Sequence, residues 1–169
     1  MRIFRALPDA VRQRAVRAVS PSYTLGAQAR IERPDGRILL VKASYRWRWG
    51  MPGGLLDAGE GPAEAAVRET LEETGLKIEL VEEPLVIVET TMQRVNFIYD
   101  AVPADGADPD AIKPQAQEIL EIGWFSTDEL PYTIPDDYEK ILLREAPVAP
   151  GGQVIVTTAI QVDEPLDKG

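Results

Sequence analysis

The stretch EGPAEAAVRETLEETGL, Glu60 to Leu76, constrains this chain more than any other part of it. Pro62 suits the first turn of a helix, where its missing N–H costs nothing, and Gly75 suits the left-handed position just past the end. At ~100° per residue, Ala63, Ala66, Val67, Thr70, Leu71 and Thr74 fall on one stripe, small or apolar enough to pack on a sheet. Glu69, Glu72 and Glu73 fall elsewhere, at i, i+3 and i+4, and crowd about one helical turn although like charges at that spacing repel. Arg68, four residues before Glu72, offsets one charge. A hard divalent cation accounts for the rest, because Mg²⁺ favours carboxylate oxygens and keeps positions open for water and phosphate. An ExxEE cluster on its own is more often a solvated helix face, so the residues preceding it carry weight.

Chemistry elsewhere in the chain is narrowed by what it lacks. Its 169 residues contain neither Cys nor His, which removes disulfides, Cys/His metal sites, Ser-His and Cys-His nucleophilic pairs and any histidine base. Acid-base or metal chemistry must therefore rely mainly on carboxylates. With 44% hydrophobic and 27% charged residues the composition is that of one globular domain. No apolar run approaches the roughly 20 residues that span a bilayer, and a cytoplasmic location is expected. The net charge of −10 disfavours binding to a nucleic-acid polymer. Small phosphorylated substrates remain compatible, since bound cations reverse the local sign of an acidic site.

Charge is also unevenly distributed. Residues 1–20 hold Arg2, Arg5, Arg12, Arg14 and Arg17 against Asp9, a net +4 that leaves −14 for the remainder of the total −10. Leu7, Val11, Ala15, Ala18 and Val19 recur at helical spacing there, so an amphipathic helix is expected. It reads best as docked on its own domain, with a transit peptide or an anionic-surface binder as alternatives. From Tyr23 to Ala43 two strands flank Pro34-Asp35-Gly36, which reads as a hairpin. Further strands are expected over Leu85–Glu89, Met92–Ala101 and Ile119–Phe125, with a surface loop from Pro103 to Pro114. A short helix is expected over Asp136–Glu145. Gln153 to Val162 alternates as a strand that could pair at a sheet edge of its own domain or of a second subunit, so a homodimer is compatible.

Read from Gly54, the segment has glycine, five residues, Glu60, seven residues, Arg68-Glu69, two residues, Glu72-Glu73, one residue, then Gly75-Leu76. This resembles the signature of the Nudix hydrolases. Thr70 is the one departure, standing where the pattern prefers Ile, Leu or Val; its methyl can still face a sheet. Trp49-Gly50-Met51-Pro52-Gly53-Gly54 looks like the lead-in to the signature, and Glu121-Ile122-Gly123-Trp124-Phe125 like a late strand of the family.

The resemblance implies an α/β fold, an α/β/α sandwich with a mixed β-sheet between helices. It implies a family domain over 23–147, leaving 1–22 as a helical extension and 148–169 as a C-terminal strand and acidic tail. Carried over by position, Glu69, Glu72 and Glu73 would be metal ligands for Mg²⁺, with Mn²⁺ as an alternative, and the Gly53 carbonyl a further ligand. Glu60 would support the site as an outer ligand or by fixing the loop-helix junction, and Arg68 would orient the cluster. Glu118 leads Glu121 as a general-base candidate from outside the signature, and both are also explicable as solvent-facing residues.

Tyr45-Arg46-Trp47-Arg48-Trp49 alternates aromatics with arginines, so in a strand one face could stack while the other meets phosphate. Trp49 is expected in the core, and Arg46, Trp47 and Arg48 as substrate contacts. The implied activity is cleavage of a diphosphate linkage in a nucleoside diphosphate joined to another moiety, of ADP-ribose or nucleotide-sugar type. Alternatives are a nucleoside triphosphate pyrophosphohydrolase, including one acting on oxidised dNTPs, and a nucleotide-binding regulatory module without catalysis.

Overall fold

The computed structural model describes residues 20–131, the backbone of 153–157, and Pro8 and Val11. The helices expected over the first 20 residues and over Asp136–Glu145, the tail from Asp163 and the last residues of the expected terminal strand lie outside the described residues. In chain order the elements are β1 (Thr24–Ile31), β2 (Ile38–Ala43), β3 (Gly53–Leu55), α1 (Pro62–Thr74), β4 (Ile78–Leu80), β5 (Leu85–Glu89), β6 (Arg94–Pro103), β7 (Ile119–Phe125), a 3-10 turn (Thr127–Glu129) and β8 (Gln153–Thr157).

Six strands form one mixed sheet in the order β3-β1-β6-β5-β8, with β4 also paired to β6, while β2 and β7 form a separate antiparallel pair. β1 runs parallel to β6 and antiparallel to β3. β8 runs parallel to β5, so of the two pairings open to the terminal strand its described residues take the one at a sheet edge of their own domain.

The turn chemistry at Pro34-Asp35-Gly36 is as expected. Gly36 adopts φ 82°, and the Gly36 N–H donates to the Arg33 carbonyl at 2.8 Å. The hairpin is not. β1 and β2 meet only at a bridge between Glu32 and Ile38, then diverge into different sheets. Both faces of β2 are buried, Ile38 and Leu40 in one core and Leu39 in another. A strand with two apolar faces joins two layers where one with a polar face would lie flat beside its neighbour.

Helix α1 packs through Ala65 and Ala66 onto Ala27 and Tyr99. Alanines on both sides permit this close approach. The buried face is rotated from the expected stripe: Ala65, Ala66, Thr70, Glu73 and Thr74 are buried, whereas Leu71 is 41% exposed. Apolar periodicity could not locate this face because its most consequential member is a glutamate. Thr70 is fully buried and sends its hydroxyl back to the Ala66 carbonyl at 2.8 Å, so the side chain is accommodated where a bulkier aliphatic residue was expected.

Candidate active site

Two glycines admit the helix carboxylates to the edge of the sheet. Gly53, at φ 143°, donates its N–H to Glu73 Oε2 at 2.9 Å, and a side chain there would overlap the Ala27 carbonyl. At Gly54 a Cβ would overlap the carboxylate of Glu69. The helix itself starts at Gly61, whose N–H donates to Glu64 Oε2 at 3.0 Å. It stops at Gly75, left-handed at φ 76°, whose N–H donates to the Leu71 carbonyl at 2.9 Å. These stops place Glu69 and Glu73 beside β3.

The acidic residues divide into two groups. Arg68 grips Glu60 with two parallel hydrogen bonds of 2.8 and 2.9 Å, and reaches Glu69 at 2.9 Å and Glu72 at 3.3 Å. Glu60 in turn accepts from the Asp57 N–H at 2.9 Å, closing the loop before the helix. The Arg68 hydrogen bonds, with that backbone donor, hold the Glu60 carboxyl down at about 2, and they push the Arg68 guanidinium further up.

Glu73 stands at the opposite extreme. It is only 4% exposed, and burial pushes its carboxyl up to about 7 against the opposing Gly53 N–H, with the charges of Glu69 and Glu118 raising it further. Burial also raises Glu69, in spite of its bond from Arg68, and Glu72 and Glu118 add to that. Repulsion and desolvation thus act on the same two carboxylates.

Glu69, Glu73 and Glu118 line one open cleft of about 690 Å³, together with Gly53, Arg46, Trp47 and Arg48. Glu60, Arg68 and Glu72 stand beside this cleft as the ion-paired group. Residues 44–48 form a turn and a bend, so the face separation that a strand would give Tyr45 to Trp49 does not arise. Their arginines stack on their neighbours instead of alternating across a face, with Arg48 4.0 Å from the Trp47 ring centroid and Arg46 5.4 Å from that of Tyr45. The positive charge of Arg46 still reaches Glu73 and lowers its carboxyl. Trp49 packs in the core, edge-on to Phe125 with ring centroids 4.8 Å apart. Glu121 faces outward to Lys42 at 3.1 Å, and of the two outer candidates only Glu118 reaches the cleft.

The donor set suits a divalent cation in kind: acidic oxygens, partly desolvated and mutually repelling. No three acidic side chains among the described residues share one ion-sized space as they stand. Glu72 meets Arg68 at 3.3 Å and its side chain is 58% exposed.

Reading the sequence missed the part of the cleft that the sheet contributes through Gly26, Gln28, Glu89, Arg94 and Asn96. A signal was present: in the strand Leu85–Glu89 every second residue is buried, and that alternation carries Glu89 onto the face of Leu85 and Ile87.

The comparisons with known proteins agree with this architecture. A family model described as a NUDIX domain matches residues 23–144. A MutT-like protein of Streptomyces ambofaciens is 28% identical over 73% of this chain and 77% of its own length. A Mycobacterium tuberculosis protein provisionally named 8-oxo-dGTP diphosphatase 3 is 32% identical over 62% of this chain, which spans about half (52%) of that relative. Among solved structures, an ADP-ribose pyrophosphatase from Streptococcus suis superposes with a TM-score of 0.62 at 22% identity, over 80% of this chain and 100% of that one, a likeness of fold. The chain belongs to the Nudix family and is a Nudix pyrophosphohydrolase.

Proposed function

We propose that this hydrolase cleaves the diphosphate linkage of a nucleoside diphosphate joined to a second moiety, of ADP-ribose or nucleotide-sugar type, using Mg²⁺. The observation that supports this reading is the position of the acidic residues within the cleft. Glu69 and Glu73 meet the sheet at β3, and the loop bearing Arg46, Trp47 and Arg48 lies on their side. Glu89, Arg94 and Asn96 lie across the sheet on β5 and β6. Groups able to bind a ligand, from the 44–48 loop and from β5 and β6, therefore share one cleft with the carboxylates, as a substrate with a moiety at each end of its diphosphate requires.

In this reading Glu69, Glu72, Glu73 and the Gly53 carbonyl hold the cation, while Arg68 and Glu60 set their positions. When bound, the cation screens phosphate charge and makes a coordinated water more acidic. Glu118, exposed at the mouth of the cleft beside Glu69 and Glu73, takes the proton of the attacking water. Arg46 and Arg48 meet the substrate's negative charge, and the half-exposed ring of Trp47 supplies a stacking surface. A small nucleotide is the expected ligand; among the described residues no helix is long and apolar enough to cross a membrane.

A second reading, release of pyrophosphate from nucleoside triphosphates including oxidised ones, is favoured by the name of the Mycobacterium tuberculosis relative. Chromatography of products from a panel with Mg²⁺ separates the two. The first reading expects ADP-ribose or a nucleotide sugar to yield a nucleoside monophosphate and a sugar phosphate, with the activity lost in Glu72→Gln. Preferential conversion of triphosphates to monophosphate and pyrophosphate overturns it in favour of the second.

A further inference from the structure

The polar groups that β5 and β6 bring to the cleft have a definite hydrogen-bonding character. Glu89 ends β5 on its buried face and is 6% exposed. Its Oε2 accepts from Asn96 Nδ2 at 3.0 Å. That bond fixes the amide, so Asn96 presents its Oδ1 as an acceptor. Among the described residues neither Asn96 Oδ1 nor Glu89 Oε1 has a further hydrogen-bond partner. Gly26 on β1 leaves room at this point, since a Cβ there would stand 2.7 Å from Asn96 Oδ1. Burial raises the Glu89 carboxyl, and the charge of Arg94, directly across the ladder, with the hydrogen bond from Asn96, opposes that rise.

Two acceptors on hydrogen-bonded neighbours, one of them a carboxylate, call for two adjacent donors. Among the common bases, guanine alone carries a ring N–H and an exocyclic amino group next to each other on its Watson–Crick edge. Adenine and cytosine pair their amino group with a ring acceptor, and uracil has a single N–H donor flanked by carbonyls. The separation also fits. Asn96 on β6 lies two strands from β3 and Glu89 on β5 three, roughly 10 to 14 Å at about 4.8 Å per strand, which matches the reach from a bound diphosphate to the far edge of a purine more closely than the shorter reach to a ribose.

Resting on the hydrolase reading above, we infer that Glu89 and Asn96 form the base-reading end of the cleft and select guanine-type bases. Gly26 keeps the space open, and the pair discriminates between substrates without touching the reacting atoms. The same preference applies whether the diphosphate is joined to a sugar or to a further phosphate.

The test compares kcat/KM for GDP-, ADP-, UDP- and CDP-linked sugars and for the four ribonucleoside triphosphates, in the native protein and in Glu89→Gln and Gly26→Ala. The native protein is expected to prefer guanine in whichever series it hydrolyses. In Glu89→Gln the preference should fall by roughly 10- to 100-fold, the value of one charged hydrogen bond, with the loss in KM rather than kcat. Gly26→Ala, which displaces Asn96 and leaves Glu89 in place, should reduce the preference in the same direction. Equal turnover of all bases, or an equal loss for all bases in Glu89→Gln, overturns the inference; a ribose-binding role would give that pattern. If nothing is hydrolysed the proposed function fails, and calorimetric titration with GMP, AMP, UMP and CMP still decides this one. Tighter binding of GMP that is lost in Glu89→Gln upholds it, and equal or absent binding overturns it.

Discussion

Glu60 and Glu73 belong to the same loop-helix unit and stand at opposite extremes. Glu60 is gripped by Arg68 and held at about 2. Glu73 is buried against the Gly53 backbone with like charges around it, and sits at about 7. The first carboxylate is satisfied by the protein, and the second is satisfied only in part. A carboxylate that burial penalises, facing an open cleft, is what a cation-dependent site requires and what a purely structural cluster would avoid.

The largest effect is expected where the two extremes differ most. Glu73→Gln keeps the acceptor for Gly53 and removes the charge, so kcat/KM should fall by about 100-fold or more through loss of a metal ligand. Without divalent ions the same variant should be more stable than the native protein. Because the folded value of Glu73 lies above its ordinary 4.5, its ionisation opposes folding; its stability contribution is full below pH 4.5 and is lost as pH rises through about 7. The gain in Glu73→Gln at pH 8 should be on the order of 2 kcal/mol and should vanish below pH 4.5, as thermal melts across pH would report. A destabilised variant at pH 8 would break the contrast.

Arg68→Ala attacks the other member of the comparison. It strands Glu60, Glu69 and Glu72 together, and Tm should fall by about 5 °C at pH 7. Since the folded value of Glu60 lies below 4.5, its contribution is present above pH 4.5 and is lost as pH falls toward 2. Acid melts of Arg68→Ala should show a smaller loss over that window than the native protein.

Gly54→Ala is expected to act more locally. A Cβ there displaces the Glu69 carboxylate, and divalent-ion affinity should weaken about tenfold with the fold retained, measurable by calorimetry. The smallest effect belongs to Leu71→Gln. With Leu71 41% exposed, stability should change by no more than about 0.5 kcal/mol; a loss of several kcal/mol would restore the helix face read from apolar periodicity.

How far the sequence reveals this molecule follows from what kind of interaction fixes each part. The limits of α1 were legible because Pro62 and Gly75 act through local backbone geometry. The limits of β5 and β7 were legible because their runs of apolar residues are short and bounded. The partner of β1 was not, since parallel pairing with β6 joins residues some 70 positions apart and leaves no turn signal in the sequence. The short strands β3 and β4 went unread, because three residues carry too little periodicity. Spacing located the acidic cluster, yet its division into a satisfied group and an unsatisfied one depends on Gly53 and Gly54 lying against Glu73 and Glu69. The base end of the cleft, Glu89 with Asn96, arises from cross-strand register alone.

The most direct test of the central claim is calorimetric titration of Mg²⁺ into the native protein and into Glu73→Gln at pH 8, with melts recorded at each end of the titration. The account predicts binding and a rise in Tm for the native protein, and loss of both in a variant that begins more stable. Equal Mg²⁺ binding by the two proteins would contradict it.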